Sequence, residues 1–193
     1  MGQVGIIVVI RHGQTEWSAT GRHTSHTDLD LTPEGQEQAK ALGHALAGRR
    51  FAAVYSSPRL RARRTAELAG LDVTAVDDNL AEWDYGEYEG LTSPEIRSGQ
   101  PDWSLWTHGC PGGELPEQVQ ARVDRLLDRV RPRLEAGDVA LVAHGHVLRV
   151  VGARWVSWPV VNAARLALDP GSLCELGFEH DRPVLRLWNR AVD

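Results

Sequence analysis

Several runs of apolar residues along the chain predict buried β-strands. Ile6 to Ile10 is uniformly apolar and β-branched, which is typical of a strand buried on both faces of a parallel sheet. Phe51 to Tyr55 and Asp138 to Ala143 have a similar apolar character. Asp72 to Val76 is short and β-branched and predicts a further strand. The strands are separated by stretches long enough to hold helices.

In those stretches, apolar residues recur every three or four positions, as they do along one face of a helix. Thr32-Pro33-Glu34 combines a hydroxyl cap, a proline and an acid, which predicts a helix start. The longest helical pattern runs from Val119 to Leu134, where Pro132 predicts a kink near the end. Other helices are predicted over Arg59 to Leu68, from Ser93-Pro94-Glu95 onward, and over Val147 to Val156.

The alternation of strands and helices indicates an α/β sandwich in one domain covering residues 1–193. Leu173 to Phe178 and Val184 to Trp188 flank a turn and predict a closing hairpin. Three polar segments lack a helical or strand period: Trp17 to Asp30, Asn79 to Gly90 and Pro101 to Glu114. Trp17 to Asp30 is predicted to be a loop over a site, and Pro101 to Glu114 a lid or connector.

Composition narrows the possible partners. The 193-residue chain has a formal net charge of −5 and 42% hydrophobic residues, which is ordinary for a globular protein and unlike a nucleic-acid-binding surface. No apolar run approaches the roughly 20 residues of a membrane-spanning helix. Cys110 and Cys174 are far apart, and the N-terminus lacks a signal-type pattern, so we expect the protein to be located in the reducing cytoplasm. We expect no nucleic-acid or membrane partner.

Candidate chemistry lies where the apolar runs end. Arg11, His12 and Gly13 follow the first predicted strand, and His144 and His146 follow the strand that ends at Ala143. Ligands of open α/β sheets bind at the carboxyl ends of the strands. A guanidinium beside an imidazole suits an anion that undergoes nucleophilic attack. These residues therefore predict a local site for a phosphate-like group.

Four motifs in this order resemble the histidine phosphatase superfamily, the group that also contains the cofactor-dependent phosphoglycerate mutases. They are RHG at Arg11 to Gly13, SSPRLRARRTA at Ser56 to Ala66, LAEWDYGEYEG at Leu80 to Gly90, and VALVAHGH at Val139 to His146. The resemblance covers nearly the whole chain. It implies a three-layer α/β/α sandwich with a mostly parallel central sheet, of the phosphoglycerate mutase-like type (branch 1).

The resemblance also implies roles for five residues. His12 would be the nucleophile that forms a phosphohistidine. Arg11 and Arg61 would hold the phosphoryl oxygens, and His144 would add a donor, expected as the imidazolium. Glu82 would protonate the leaving oxygen and then activate water. Arg61 competes with Arg59, Arg63 and Arg64, and Glu82 with Asp84, Glu87 and Glu89; spacing within the motifs favours Arg61 and Glu82.

Further positions match substrate contacts of the family. Besides Arg11, Arg61 and His144, the expected substrate-binding residues are Ser18, Thr24, Ser25, Tyr85, Gly145 and His146. Gln14 is expected at the entrance of the same site. Ordinary loop hydrogen bonding is the alternative for the hydroxyl groups. Trp83, Trp103 and Trp106 are candidates for a sugar pocket, although tryptophans pack in cores more often. A zinc site could be built from His23, His26, His108, His144 and His146, but the spacing of His23 and His26 is a weak signal and no cysteine pair accompanies it, so no metal is expected. No cofactor is expected either.

Within the superfamily, the resemblance is greatest to acid phosphatases and sedoheptulose-bisphosphatase-like enzymes. The phosphoglycerate mutases carry an insertion that this chain lacks, and differ where Ser18 and Ser25-His26 stand. We therefore expect hydrolysis of a small phosphorylated metabolite, such as a sugar phosphate or bisphosphate. A mutase and a non-catalytic phosphate-binding module are the alternatives. A homodimer is expected from relatives, and an acidic pH optimum follows if Glu82 must be protonated and His144 charged.

Overall fold

A six-stranded mixed sheet organises the fold of residues 4–192, which the computed structural model describes. Its strands are β1 (Ile7–Arg11), β2 (Phe51–Ser56), β3 (Ala75–Val76), β4 (Asp138–Ala143), β5 (Leu173–Glu179) and β6 (Arg182–Arg190). The spatial order is β3-β2-β4-β1-β5-β6. The first four strands in this order pair in parallel, whereas β5 pairs antiparallel with both β1 and β6. The mostly parallel sheet and the closing hairpin are therefore confirmed.

The helices are α1 (Glu16–Ala19), α2 (Pro33–Ala45), α3 (Leu60–Leu68), α4 (Ser93–Gly99), α5 (Leu105–His108), α6 (Pro116–Val130) and α7 (Gly145–Trp155). Short 3₁₀ turns cover Asp78–Leu80, Gly86–Tyr88, Arg131–Glu135 and Val160–Arg165. None of the helices between residues 4 and 192 is long and apolar enough to cross a membrane.

The side chains of β1 alternate between two hydrophobic clusters, because successive strand residues point to opposite faces of the sheet. Ile7 and Val9 pack with the apolar faces of α6 and α7. Val8 and Ile10 pack with α2 and α3 on the other face. The sheet is thus covered on both sides, which explains the continuous apolar run of β1 and confirms the three-layer α/β/α sandwich.

Three local expectations need correction. The segment from Trp17 to Asp30 is not entirely a loop, because α1 begins at Glu16, where Thr15 and Ser18 form a reciprocal capping box. The strand predicted over Asp72 to Val76 is limited to Ala75–Val76, which lies exposed at the sheet edge. Pro132 does not kink a continuing α-helix, because the α-helix ends at Val130 and the chain then forms the 3₁₀ turn Arg131–Glu135.

The chain after β1 packs tightly on the start of α2. A Cβ added at Gly13 would lie 2.2 Å from the Gly35 carbonyl oxygen, and one added at Gly35 would lie 2.1 Å from the Gln14 carbonyl oxygen. No side chain other than hydrogen fits at either position. The two glycines therefore allow α2 to pack directly against the residues that follow His12.

We predict that Gly35→Ala lowers the free energy of unfolding by about 1–3 kcal/mol, because its methyl group would overlap main-chain atoms that cannot move independently. Gly99→Ala is the matched control: Gly99 is also helical, but a Cβ there meets no atom within 4 Å. That variant should be as stable as the wild type or slightly more stable. Urea denaturation measures both, and equal stabilities of the two variants would contradict the prediction.

Candidate active site

Three parallel strands end side by side and bring together residues from distant parts of the sequence. His12 follows β1, Ser57 follows β2 and His144 follows β4. The amide of His12 donates to Ala143 O at 2.9 Å, and that of Ser57 donates to Val142 O at 2.9 Å. The rings of His12 and His144 lie edge to face with centroids 5.1 Å apart. The structure therefore brings the ends of these three strands together.

His12 is buried, and its hydrogen bonding defines which ring nitrogen is available. Nδ1 lies 2.7 Å from the Gly13 carbonyl oxygen, which can only accept, so Nδ1 carries the proton. Burial, together with the positive charges of Arg61 and Arg11, lowers the pKa of His12 well below its ordinary value. The ring is therefore neutral at neutral pH, with a free lone pair on Nε2.

His144 is fully buried and connects two other site residues. Arg61 Nε donates to His144 Nδ1 at 3.1 Å, so Nδ1 carries no proton. Nε2 lies 2.7 Å from Ser57 Oγ. Burial and the charge of Arg61 lower the pKa of His144 well below its ordinary value. The ring is therefore neutral, in contrast to the imidazolium expected at His144.

The two predicted phosphate-binding arginines are held by main-chain carbonyl groups. Arg11 Nη1 donates to Leu168 O, while its buried Nε has no hydrogen-bond partner in the described part of the chain. The Arg11 guanidinium passes so close to Gly145 that an added Cβ would lie 3.2 Å from Cζ. Arg61 donates to Thr27 O at 3.2 Å and Thr24 O at 3.0 Å. Neither arginine forms an ion pair with a carboxylate among residues 4–192.

Glu82 points its carboxyl group at the start of α7. Oε2 accepts from the His146 amide at 3.0 Å, and Oε1 accepts from the Val147 amide at 2.9 Å. Oε1 also accepts from its neighbour Trp83 at 2.9 Å. The exposed amides of a helix N-terminus suit a negative group. The same helix start therefore fixes both His144 and the predicted proton donor.

These residues surround a cavity of about 190 Å³. Of the predicted site residues, Arg11, His12, Ser18, Thr24, Glu82, Tyr85, Gly145 and His146 line it. Arg61 and His144 do not line it and are buried against each other. Ser25 does not line it either: its amide and hydroxyl groups both donate to Glu89. Gln14 binds Glu34 and Thr32 instead of facing the cavity.

Tyr85 and His146 form a pair at the cavity wall. Tyr85 Oη lies 2.6 Å from His146 Nδ1. Burial raises the pKa of Tyr85 well above its ordinary value, and burial with the charge of Arg149 lowers the pKa of His146 well below its own. Both groups are therefore neutral, and the pair presents hydrogen-bonding groups without adding charge.

Four cavity residues were not indicated by the sequence: Thr15, Ser93, Arg149 and Leu168. Gly21, Arg22 and His23 also line the cavity and belong to the segment that was predicted to lie over a site. Arg149 follows His146 by three positions on α7, and this helical spacing was an available signal. Its Nε donates to Ala163 O at 3.1 Å and its Nη2 to Ala164 O at 2.9 Å. Burial lowers its pKa to about 10, so it is still a cation at neutral pH. Arg149 adds a positive charge that the motifs did not indicate.

The aromatic and histidine candidates have other surroundings. Trp83 and Trp103 are buried in the core, and Trp106 lies under Arg149, whose Cζ is 4.4 Å from the ring centroid. None of the three tryptophans lines the cavity, so the structure supports the packing alternative over a sugar pocket. His23 Nδ1 donates to Leu91 O, whereas His26 bridges Arg59 and Asp84.

Several known proteins are similar to this chain in sequence. A Mycobacterium tuberculosis acid phosphatase is 46% identical over 176 residues, which cover 90% of this chain and 87% of that protein. A Saccharomyces cerevisiae sedoheptulose 1,7-bisphosphatase is 35% identical, covering 77% and 66%. A 2,3-bisphosphoglycerate-dependent phosphoglycerate mutase of Sinorhizobium fredii is 38% identical, covering 75% and 76%.

The solved structure of an open-reading-frame product from Mycobacterium tuberculosis superposes with a TM-score of 0.94 and 43% identity, covering 97% of this chain and 98% of that one. The family model "Histidine phosphatase superfamily (branch 1)" matches residues 7–191. The match includes every motif that forms the strand-end site. The chain belongs to the histidine phosphatase superfamily, branch 1.

Proposed function

We propose that the protein is a phosphatase that hydrolyses phosphomonoesters of small metabolites through a phosphohistidine on His12. One observation carries the proposal: the unprotonated Nε2 of His12 shares a cavity with Arg11, which forms no ion pair with a carboxylate of residues 4–192. A neutral imidazole is nucleophilic, and a free guanidinium attracts a phosphoryl group. The acid phosphatase and sugar bisphosphatase among the relatives support the same reaction class.

In the first step, His12 Nε2 attacks phosphorus and the bond to the ester oxygen breaks. Arg11 stabilises the charge on the phosphoryl oxygens, and Arg61 contributes its positive charge from its buried position against His144. Glu82, in its protonated form, transfers its proton to the departing alkoxide. The products of this step are an alcohol, phosphohistidine and the Glu82 carboxylate.

In the second step, the Glu82 carboxylate takes a proton from water as the water oxygen attacks phosphorus. The nitrogen–phosphorus bond breaks, inorganic phosphate is released, and His12 returns to its neutral state. Glu82 is protonated again and ready for the next substrate. The two steps therefore need one carboxyl group to act first as an acid and then as a base.

We further propose that the substrate carries a second anionic group, as sugar bisphosphates do. Arg149 supports this because its charge lies at the same cavity and is held by carbonyl oxygens instead of a carboxylate. The second charge of such a substrate would lie against Arg149 while the reacting phosphate lies against Arg11. The acid-phosphatase type, the cytoplasmic location and the homodimer stay predictions.

Phosphate release from p-nitrophenyl phosphate, 3-phosphoglycerate, sedoheptulose 1,7-bisphosphate and fructose 1,6-bisphosphate tests the proposed reaction. His12→Ala should lower kcat/KM by about 10³-fold or more, because it removes the proposed nucleophile. His44→Ala, which changes an exposed histidine of α2, is the control and should retain activity. Isomerisation of 3-phosphoglycerate without phosphate release would indicate a mutase, and no turnover at all a binding module.

The charge of Arg61 should control histidine protonation. Removing this cation in Arg61→Met removes its repulsion of the imidazolium forms, so the pKa values of His12 and His144 should both rise. NMR titration of the imidazole nitrogens measures the change. Arg64→Met, which changes an outward-facing residue of the same helix, is the matched control. Unchanged or lower pKa values in Arg61→Met would contradict the assigned cause.

Arg149→Gln tests the second anionic group. The ratio of kcat/KM for fructose 1,6-bisphosphate to that for p-nitrophenyl phosphate should fall about tenfold or more, because a charge-assisted hydrogen bond is lost. Arg131→Gln is the matched control, since Arg131 also covers a tryptophan ring, that of Trp155, but does not line the cavity. An unchanged ratio in Arg149→Gln would show that Arg149 does not read the substrate.

A further inference from the structure

Glu82 lies in a segment with little regular structure. Only the 3₁₀ turns Asp78–Leu80 and Gly86–Tyr88 flank it. An acid that protonates a leaving group must be held close to that group, and small displacements are costly. The α7 amides hold the carboxyl group itself, but they do not hold the backbone that carries it. Other residues must position the segment.

Arg122, on the buried face of α6, binds this backbone from one side. Nη1 donates to Asn79 O and Ala81 O, both at 2.8 Å, and Nη2 donates to Glu82 O at 3.3 Å. Nε and Nη2 also donate to the carboxylate of Glu114 at 2.7 and 2.9 Å. A guanidinium has five N–H donors, and these contacts use all of them. Lysine has only three donors and cannot reproduce the pattern.

Glu114 binds the same segment from the other side. Its Oε2 accepts from the Asp84 amide at 2.9 Å, and its own amide donates to Asp84 O at 2.9 Å. Its carbonyl oxygen accepts from Trp83 Nε1 at 2.9 Å. Arg122 and Glu114 together therefore contact the two residues after Glu82, the residue before it and Glu82 itself.

Two glycines bring the segments into direct backbone contact. A Cβ at Gly86 would lie 2.2 Å from Pro111 O, and one at Gly113 would lie 2.2 Å from Asp84 O. The stretch from Pro111 to Glu114 is thus fitted against the chain that carries Glu82. It does not line the cavity, so it has no direct access to substrate.

We propose that Arg122 and Glu114 are positioning residues that hold Glu82 where it can protonate the leaving oxygen. The inference rests on the proposed hydrolysis and deepens it. It gives a role to the end of the Pro101 to Glu114 segment, which the sequence predicted only as a lid or connector. The pair acts through the backbone of residues 79 to 84, not by contact with substrate.

The test uses leaving groups that differ in their need for a proton. The p-nitrophenolate ion departs without protonation, whereas an alkoxide needs an acid, and kcat/KM reports the step in which the leaving group departs. In Arg122→Lys and Glu114→Gln, kcat/KM for glycerol 1-phosphate should fall at least about tenfold more than for p-nitrophenyl phosphate. Equal losses with both substrates, or no loss, would overturn the proposal and leave a purely structural role.

A double-mutant cycle provides the second readout. Once Glu82→Gln has removed the acid, adding Arg122→Lys should cause little further loss with glycerol 1-phosphate, because both changes affect one step. Additive losses would overturn the proposal. Arg154→Met is the matched control: it breaks an arginine–carboxylate pair between α7 and α6 that does not touch the Glu82 segment, and the substrate ratio should stay at the wild-type value. A wild type without His12-dependent turnover would instead contradict the proposed function.

Discussion

The parallel pairing of β1 with β4 is the constraint on which the site depends. Arg11 is in register with Ala143, so the residue after each strand, His12 or His144, reaches the same sheet edge. Because β2 also runs parallel to β4, Ser57 arrives beside His144. The hydrophobic clusters on both faces fix the sheet, and they thereby fix the distance between the two imidazole rings. The chemistry at the edge is positioned by the packing of the core.

The arginines at this edge are oriented by carbonyl oxygens and form no ion pair within residues 4–192. Arg11, Arg61 and Arg149 donate to carbonyl oxygens, whereas Arg49, Arg122 and Arg154 each bind at least one carboxylate. A carbonyl oxygen fixes the direction of a guanidinium without cancelling its charge. Such partly buried cations are costly in the free protein, and an anion entering the cavity offsets the cost. A bound phosphate should therefore stabilise the fold as well as occupy the site.

The sequence predicted the strands that build this edge because they are apolar on both faces, and it predicted the helices because their caps and periods are local. The motif histidines lie directly at the strand ends and were placed with them. Arg149 was missed because its relevance depends on where the start of α7 meets Trp106, a contact across 43 positions in sequence. Arg122 was missed for the same reason: its partners lie 8 to 43 positions away. Ser25 was assigned to substrate binding from the family resemblance. Its hydrogen bond to Glu89 could not be foreseen, because Glu89 is equally distant in sequence.

The neutral ring of His144 shows why a residue's identity does not determine its charge. The motif specifies an imidazole, but its protonation depends on burial and on the neighbouring Arg61, which here occupies the Nδ1 lone pair. A phosphoryl dianion beside the ring would act in the opposite direction, since a nearby negative charge favours the protonated form. The protonation of His144 is therefore set by burial and by the charges around the ring, whereas the motif determines only which side chain stands at that position.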